Sequence, residues 1–575
     1  MADKIFRVNM SDLTTSIEAV PEAWMGHGGR GLTSTIVAAE VEPTCHPLGP
    51  NNKLVFAPGL LSGTVAANSG RLSAGAKSPL TGGIKESNAG GTGAQYLARI
   101  GCKALIIEGQ PADGKWYNIA LTSDSITITE ESELVGKGNY EVAKTLSARF
   151  DGKVAVITVG QAGEMKMQAA NISVMDPDGN LRSHGRGGLG AVMGSKKVKY
   201  ITVDPGDNKV EIAQPDEFKT ANRAFAKALM AHPVTETLAT YGTNALINVI
   251  NEAGGLPTKN FTLGQFEGHD KISGETMYDI IQERGGKPKH NCHAGCVIQC
   301  SQVYNDKNKN YKTAGFEYES IWAMGADCCV EDLDDIAEAD YLMDDLGIDT
   351  IETSVAIGVA MEAGILEFGD GTGACRIIRD EIGKGTALGR IVGNGAGSVG
   401  AAFGVTRVPV VKNQAIPAYD PRAVKGMAIT YATTPMGGDH TTGYAVTANI
   451  LGVGGNVDPL AKDGQIELSR NLQIATAAID STGMCLFIAF TALDDPECLP
   501  ALINLINARY GINLTGDDVT NLGKSILKTE RAFNQAAGLN NADDRLPEFF
   551  YSEPLPPHNT VVDFTPEEID SFWNF

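Results

Sequence analysis

Along roughly the first two hundred residues, apolar side chains come in short runs rather than in long periodic stretches. KLVFAPGL, KALIIEGQ, SITITE and KVAVITVG are apolar or β-branched runs bounded by Gly-rich turns, the pattern of strands. From about Gln214 the spacing changes to three and four, as in DEFKTANRAFAKALMAH and EDLDDIAEADYLMDDLG, which predicts helices. A second helical region begins near Val408, and a Pro-containing tail, LPEFFYSEPLPPHN, closes the chain. The expected fold class is α+β. A β-rich domain occupies 1–205, and two mainly helical domains follow at 206–407 and 408–575.

Composition narrows the function. At 575 residues, 43% hydrophobic and 20% charged, the chain is a globular protein of several domains. A formal charge of -22 excludes a nucleic-acid binder, which needs clustered cations, and an acidic surface suits a basic partner. No stretch approaches the ~18 apolar residues of a membrane span. MADKIFRVNM lacks the apolar segment of an export signal, so a cytoplasmic location is expected. The ten cysteines then read as reduced thiols or metal ligands rather than a disulfide framework.

The densest chemical signal is HNCHAGCVIQC, which spaces Cys292, Cys296 and Cys300 as C-x3-C-x3-C. Three thiolates so close suit one face of an iron–sulfur cube, whose fourth iron needs another cysteine. Zinc, which prefers C-x2-C pairs, and plain buried thiols remain open on spacing alone. Cys328 and Cys329 sit in a helical, apolar context and read as core; Cys45, Cys102, Cys375 and Cys498 carry no assignment.

Residues 63–101 interleave glycines with Arg71, Lys77, Ser78, Lys85, Ser87 and Asn88. RSHGRGGLGAVMGSKK adds Arg182, Arg186, Gly187, Gly188, Lys196 and Lys197. Either segment alone is an ordinary solvated turn. Together, in an acidic protein, they suggest a bulky phosphorylated cofactor, since glycine lets backbone N–H groups approach phosphate. GAGSVG, at 395–400, matches G-x-G-x-x-G but has no preceding strand and reads as a glycine-rich loop. DDLGID (344–349) and DSTGMC (480–485) share the form D-x-x-G-[IM]-[DC]; a pair of helix C-caps is the competing reading, and the cysteine that ends the second motif counts against it. GFEYES places Glu317 and Glu319 before a helix, and MGGDHTTG places Asp439 and His440 in a glycine turn.

Taken in order, GGRGLTS, SGRLSAGAKSPLTG, ESNAGG, GRGGLGAVMGSK, the cysteine run, GFEYES, DDLGID, GGDHTTG and DSTGMC resemble the aldehyde ferredoxin oxidoreductase family over almost the full chain. The resemblance implies tungsten, or molybdenum, held by two molybdopterins, with the β-rich domain binding pterin. One pterin falls to Asp344, Gly347, Ile348 and Asp349, and the other to Asp480, Gly483 and Met484. It implies one [4Fe-4S] cluster on Cys292, Cys296, Cys300 and Cys485, with Arg71 bridging cluster and pterin. Asn88 would give Mg2+ a backbone carbonyl beside the cofactor-binding Gly90–Gly91 pair, and residues near Arg182 to Arg186 would give the second, with Gly187 and Gly188 also binding cofactor. Glu319 and His440 match the acid and histidine beside the metal, with Glu317 as the competing acid.

The implied reaction oxidises an aldehyde with water to a carboxylic acid. Electrons leave through the cluster to ferredoxin or to dedicated iron–sulfur and flavin subunits, in an oligomeric enzyme. Two alternatives stand beside it: reduction of another substrate such as an aromatic-ring thioester, and a pure iron–sulfur electron-transfer subunit. One feature departs from the family, whose cysteine run is C-x2-C-x3-C.

Overall fold

The computed structural model describes residues 3–575. The predicted runs form strands. β1 (Lys4–Asn9), β2 (Thr14–Ala19), β3 (Leu54–Pro58), β4 (Leu72–Lys77), β5 (Ile84–Ala89) and β6 (Cys102–Glu108) make one sheet in the order β2-β1-β6-β3-β4-β5. β7 (Tyr117–Leu121), β8 (Ile126–Glu130), β9 (Ala155–Thr158), β10 (Ile172–Met175), β11 (Leu181–His184) and β12 (Val198–Val203) make the second. Its order, read from the other edge, is β8-β7-β12-β9-β10-β11, the first order with six added to every number. Pairing directions repeat as well, since β1 with β6 and β7 with β12 are parallel and every other pair is antiparallel.

The β-rich part is therefore two copies of one topology. Period-2 alternation turns Phe6, Leu54, Phe56, Leu105 and Ile107 toward Ile119, Ile157, Ile172, Val174 and Ile201 of the other copy in one shared core. The opposite face of the first sheet, with Ile5, Val55, Ala57 and Ile106, packs on the helix Gly29–Glu40 through Leu32, Ile36 and Val37.

The rest is mainly helical, giving the α+β class expected. The two periodic stretches form helices Pro215–Ala231 and Leu333–Leu346. The helical region also holds a small antiparallel sheet that periodicity does not reveal: β13 (Lys287–His290), β14 (Ser301–Asn305) and β15 (Tyr311–Ala314).

Two local expectations need correcting. GAGSVG is not a loop; Gly395, at φ +95°, starts the helix Ala396–Phe403. Cys328 and Cys329 lie in a turn beyond the helix Tyr318–Met324, with Cys328 in the core and Cys329 left-handed at φ 59°. No helix among the described residues is long and apolar enough to cross a membrane.

Candidate functional site

Gly347 and Gly483 end the helices Leu333–Leu346 and Gln465–Thr482 at φ +70° and +82°, a conformation glycine adopts without steric cost. Both are C-caps, and each is also pressed onto one copy of the repeated sheet. A Cβ on Gly59, after β3, would stand 2.0 Å from Gly483 N; one on Gly160, after β9, would stand 2.2 Å from Leu346 O. Arg71, just before β4, donates its backbone N–H to Gly483 O at 3.0 Å, and Asn171, just before β10, donates to Gly347 O at 2.9 Å. Two residues past the glycine, Cys485 donates to Asn68 O and Asp349 to Ala169 O, both at 2.9 Å. The sequence echo is thus a spatial one: each D-x-x-G motif packs on the corresponding strand connection, β3 to β4 or β9 to β10, of one repeat.

Further pairs coincide. Gly90–Gly91 lies between β5 and the helix Gly93–Arg99, and Gly187–Gly188 between β11 and the helix Leu189–Ser195. A Cβ on Gly91, at φ +93°, would lie 2.9 Å from Met175 O, and one on Gly188, at φ +77°, only 2.3 Å from Gln168 O, so both turns require bare backbone.

The buried arginines tie the motifs together. Arg71 Nε donates to Asn88 Oδ1 at 2.8 Å, and Asn88 Nδ2 reaches Asp480 Oδ1 at 3.5 Å. Arg30 contacts Asp480 at 3.3 Å and grips Glu530 at 2.9 and 2.8 Å. Burial pushes Asp480 up to about 6 against the pull of Arg30. Arg186 Nε donates to Asp349 at 3.2 Å, with its other nitrogens on the carbonyls of Gly438 (2.6 Å) and Ala415 (2.7 Å). Arg182 is paired with Asp176 at 2.9 Å, and burial raises Asp344, which accepts from Tyr140 Oη at 3.3 Å.

The lysines behave otherwise. Lys77 serves the carbonyls of Pro43 and Cys45, Lys196 that of Asn52 at 2.6 Å, and Lys85 the carboxylate of Asp439 at 2.9 Å. Read as phosphate ligands in sequence, these three compensate buried groups of the protein itself, as an ammonium taken out of water must.

Cys292, Cys296 and Cys300 lie on the connection from β13 to β14, turned by Gly295 at φ +84° and Gln299 at φ 54°. The left-handed Gly295 sits in the longer first gap, and Cys296 still comes back onto Cys292. A hydrogen bond from the Cys296 thiol holds Cys292 well below the usual thiol range, with His293 and Arg71 assisting. The same bond raises Cys296. Burial raises Cys300 and Cys485, and Arg71 opposes it in both. Cys292, Cys300, Cys485 and Arg71 line one cavity. Four cysteines separated by up to 193 positions are neighbours, although no group of three or more His, Cys, Asp or Glu among the described residues is disposed around a single metal ion.

Asn68, which sequence reading passed over, organises this loop. It is fully buried at φ 60°. Its N–H donates to Gly295 O (3.1 Å), its Oδ1 accepts from Val297 N (3.0 Å), its Nδ2 reaches Cys296 Sγ (3.7 Å), and its carbonyl takes the Cys485 N–H. The available signal was an asparagine, tolerant of left-handed backbone, beside Ser-Gly.

The cavity, of about 520 Å³, runs from these cysteines past Arg182, Arg186, Asp344 and Asp349 to Glu319 and His440. Beyond them it is walled by Tyr419, Tyr444, Leu486, Phe487 and Phe490. Burial lifts Glu319 to about 8 and lowers His440 to about 4, so near neutral pH the carboxyl is protonated and the imidazole neutral. His440 Nε2 stands 3.3 Å from Glu319 Oε1 without hydrogen-bond alignment; that oxygen and His440 Nδ1 are buried without partners. Asn171 Oδ1 and Ser301 Oγ, from the same lining, are also unpartnered. Unsatisfied polar atoms converging on a cavity mark a ligand site.

Glu319 lies in the first turn of the helix Tyr318–Met324 rather than before it, and Glu317 is the N-cap. Two residues on a helix turn through ~200°. Glu317 accepts from Thr243 Oγ1 at 2.6 Å and has Arg182, Cys292 and Arg71 as charged neighbours, whereas Glu319 faces His440.

Residues 5–205 match the family model described as "Aldehyde ferredoxin oxidoreductase, N-terminal domain", and residues 220–573 match "Aldehyde ferredoxin oxidoreductase, domains 2 & 3". The chain belongs to the aldehyde ferredoxin oxidoreductase family. It is an oxidoreductase. Similar relatives are the tungsten-containing aldehyde ferredoxin oxidoreductases of Pyrococcus furiosus (37% identical, 96% of this chain and 92% of the relative) and Pyrococcus horikoshii (36%, with the same coverage). An aliphatic sulfonate oxidoreductase WOR-like subunit of Pyrococcus furiosus is 26% identical over 92% of this chain and 86% of its own. The active-site complex BamBC of benzoyl coenzyme A reductase superposes at a TM-score of 0.81. It covers 99% of this chain and 93% of that one at 19% identity, a likeness of fold.

Within this aldehyde ferredoxin oxidoreductase family member, Asn68→Ala should lower the Tm more than Asn68→Gly. Both lose the side-chain bonds, about 1 kcal/mol each, but only alanine must also carry left-handed backbone, at roughly 1–2 kcal/mol. Thermal unfolding of the purified protein checks the order; equal shifts would mean the φ of 60° is not what selects asparagine here.

Proposed function

We propose that the protein is a tungsten- or molybdenum-dependent bis-molybdopterin oxidoreductase that oxidises an aldehyde with water to a carboxylic acid. Electrons leave through one [4Fe-4S] cluster to ferredoxin or an equivalent iron–sulfur protein. The observation that carries this is the twofold one. Two D-x-x-G turns pack on corresponding strand connections of two copies of one sheet, and three residues of these motifs, Asp344, Asp349 and Cys485, line one cavity. A duplicated cradle suits a duplicated ligand.

The donor set fits these groups. Asp344, Gly347, Ile348 and Asp349 would serve one pterin; Asp480, Gly483 and Met484 would serve the other. Arg71, Arg182 and Arg186 would balance anionic groups, and the turns at Asn88–Gly91 and Arg186–Gly188 would offer the carbonyls for Mg2+. Cys292, Cys296, Cys300 and Cys485 would hold the cluster. Neighbouring thiols not gathered on one point suit a cube, which keeps its thiolates apart, over tetrahedral zinc with bonds of ~2.3 Å. Bound tungsten or molybdenum supplies the two-electron acceptor.

The chain's own residues then divide the work. The neutral His440 donates a hydrogen bond to the substrate carbonyl oxygen, and Glu319, once ionised, accepts a proton released as the acid forms. Tyr419, Tyr444, Phe487 and Phe490 exclude water and favour an apolar substituent on the aldehyde. Anaerobic purification with metal analysis and an aldehyde panel assayed with a small dye tests the reading. Tungsten or molybdenum with iron and aldehyde-dependent dye reduction are expected. Iron alone with no aldehyde turnover would leave an electron-transfer subunit instead.

A further inference from the structure

The most exposed large apolar side chains of the described residues are Val65, at 76%, and Met230, at 61%. They fall on one face. Val65 tops the loop that leads into Asn68, and Asn68 is bonded to Cys296, Val297 and Gly295 of the cysteine loop. The helix Pro215–Ala231 holds that loop: Asn222 Oδ1 accepts from Ala67 N and Asn222 Nδ2 donates to Val65 O, both at 3.0 Å. Met230 lies two turns further along the helix, ~12 Å from Asn222 at 1.5 Å per residue. Ala294 and Gly295, beside Cys296, are exposed on the same loop.

The helix carries Lys219, Arg223 and Lys227 at i, i+4 and i+8, a single exposed stripe flanking Met230. Lys115, elsewhere on the surface, is held by Glu130 at 2.7 Å; among the described residues no carboxylate stands in an ion pair with any of these three. The helix's own acids, Asp216 and Glu217, are in its first turn, where the helix dipole favours them. In a chain of net charge -22, Lys219, Arg223 and Lys227 gather positive charge on one exposed face of the helix that holds the Val65 loop.

We propose that the Val65 loop and the Lys219–Arg223–Lys227 stripe form the docking face for a small iron–sulfur electron carrier with an acidic surface. This rests on the proposed cluster at Cys292, Cys296, Cys300 and Cys485. Cations on the rim steer an acidic carrier, and the two exposed apolar side chains give a dry contact on the face whose Val65 loop leads through Asn68 to the cysteine loop.

The test uses the full-length enzyme and a small acidic ferredoxin. Binding of oxidised ferredoxin is measured by calorimetry at low and high ionic strength, and aldehyde turnover is followed with ferredoxin and with a small dye. Lys219→Glu/Arg223→Glu/Lys227→Glu should weaken ferredoxin binding at least tenfold at low salt, flatten its salt dependence, and leave dye turnover within twofold. Val65→Ser/Met230→Ser should weaken binding at high salt, where charges are screened. A matched reversal elsewhere, Lys144→Glu/Lys153→Glu/Lys384→Glu, should change binding far less. Unchanged affinity and salt slope in the stripe variant, or an equal loss in the matched control, overturns the proposal. So does sedimentation showing that the variant only breaks a self-association while ferredoxin binding persists. Iron content and dye turnover of the wild type report on the cluster separately: a protein without iron that still binds ferredoxin at this face refutes the site and supports the face.

Discussion

Cys485→Ser should strip the protein of most of its iron while leaving its secondary structure unchanged. The substitution is nearly isosteric, and the position is held by backbone, through the Cys485 N–H on Asn68 O and the left-handed Gly483 before it. What changes is the donor: a hydroxyl does not replace a thiolate on iron. The same loss is expected for Cys292→Ser, Cys296→Ser and Cys300→Ser, because the four are mutual neighbours across 193 positions of sequence. Cys498→Ser is the control. Cys498 is also buried but begins the helix Cys498–Tyr510 and takes no part in the cavity lining, so its variant should keep its iron. Iron analysis with the visible absorption of the cluster reads all five. Full iron in each of the four variants would remove the cluster from this site.

The second large effect concerns the reaction. Glu319→Gln and His440→Ala should each slow aldehyde oxidation by roughly 10²–10⁴-fold with metal and iron retained, the usual weight of a general acid or base. The pH profile separates a proton-handling role from a structural one. Glu319 is lifted from 4.5 to about 8, so its accepting form grows as pH rises through about 8, and wild-type turnover should rise on that limb. Glu319→Gln should lose the limb as well as the rate.

Stability runs the other way for this group. The contribution of the raised Glu319 is complete below 4.5 and is lost as pH climbs through about 8. That of the lowered His440 is present above 6.5 and is lost as pH falls through about 4. Glu317→Gln is the discriminating comparison: it should leave the alkaline limb in place, because Glu317 faces Thr243 and the cysteine side. A flat wild-type profile, or the same limb in Glu319→Gln, would end the assignment.

Much of this protein is legible in the order of its residues. Period-2 runs became strands and 3–4 spacing became helices, because burial on one face imposes those periods locally. The cysteine spacing and the two D-x-x-G turns were readable for the same reason: thiol chemistry and left-handed glycine are properties of a few adjacent residues. What the sequence left open were questions of approach between distant segments. Composition could not say whether Lys77, Lys85 and Lys196 face a phosphate or their own backbone, and packing gave them to the backbone and to Asp439. Glu317 and Glu319 are chemically alike in a motif, and only the helix they enter turns one to the cysteines and the other to His440. A histidine in a glycine turn reads as surface, yet His440 packs against Tyr419 and Tyr444 at centroid distances of 6.0 and 6.2 Å, and burial lowers it to about 4. The twofold relation between the sheets was equally invisible in the strand pattern. It lives in pairing order, which depends on which strands meet and not on what each strand contains. Period and turn chemistry are local, so sequence determined them; burial, pairing and proximity are sums over the whole chain, so the tertiary structure decided them.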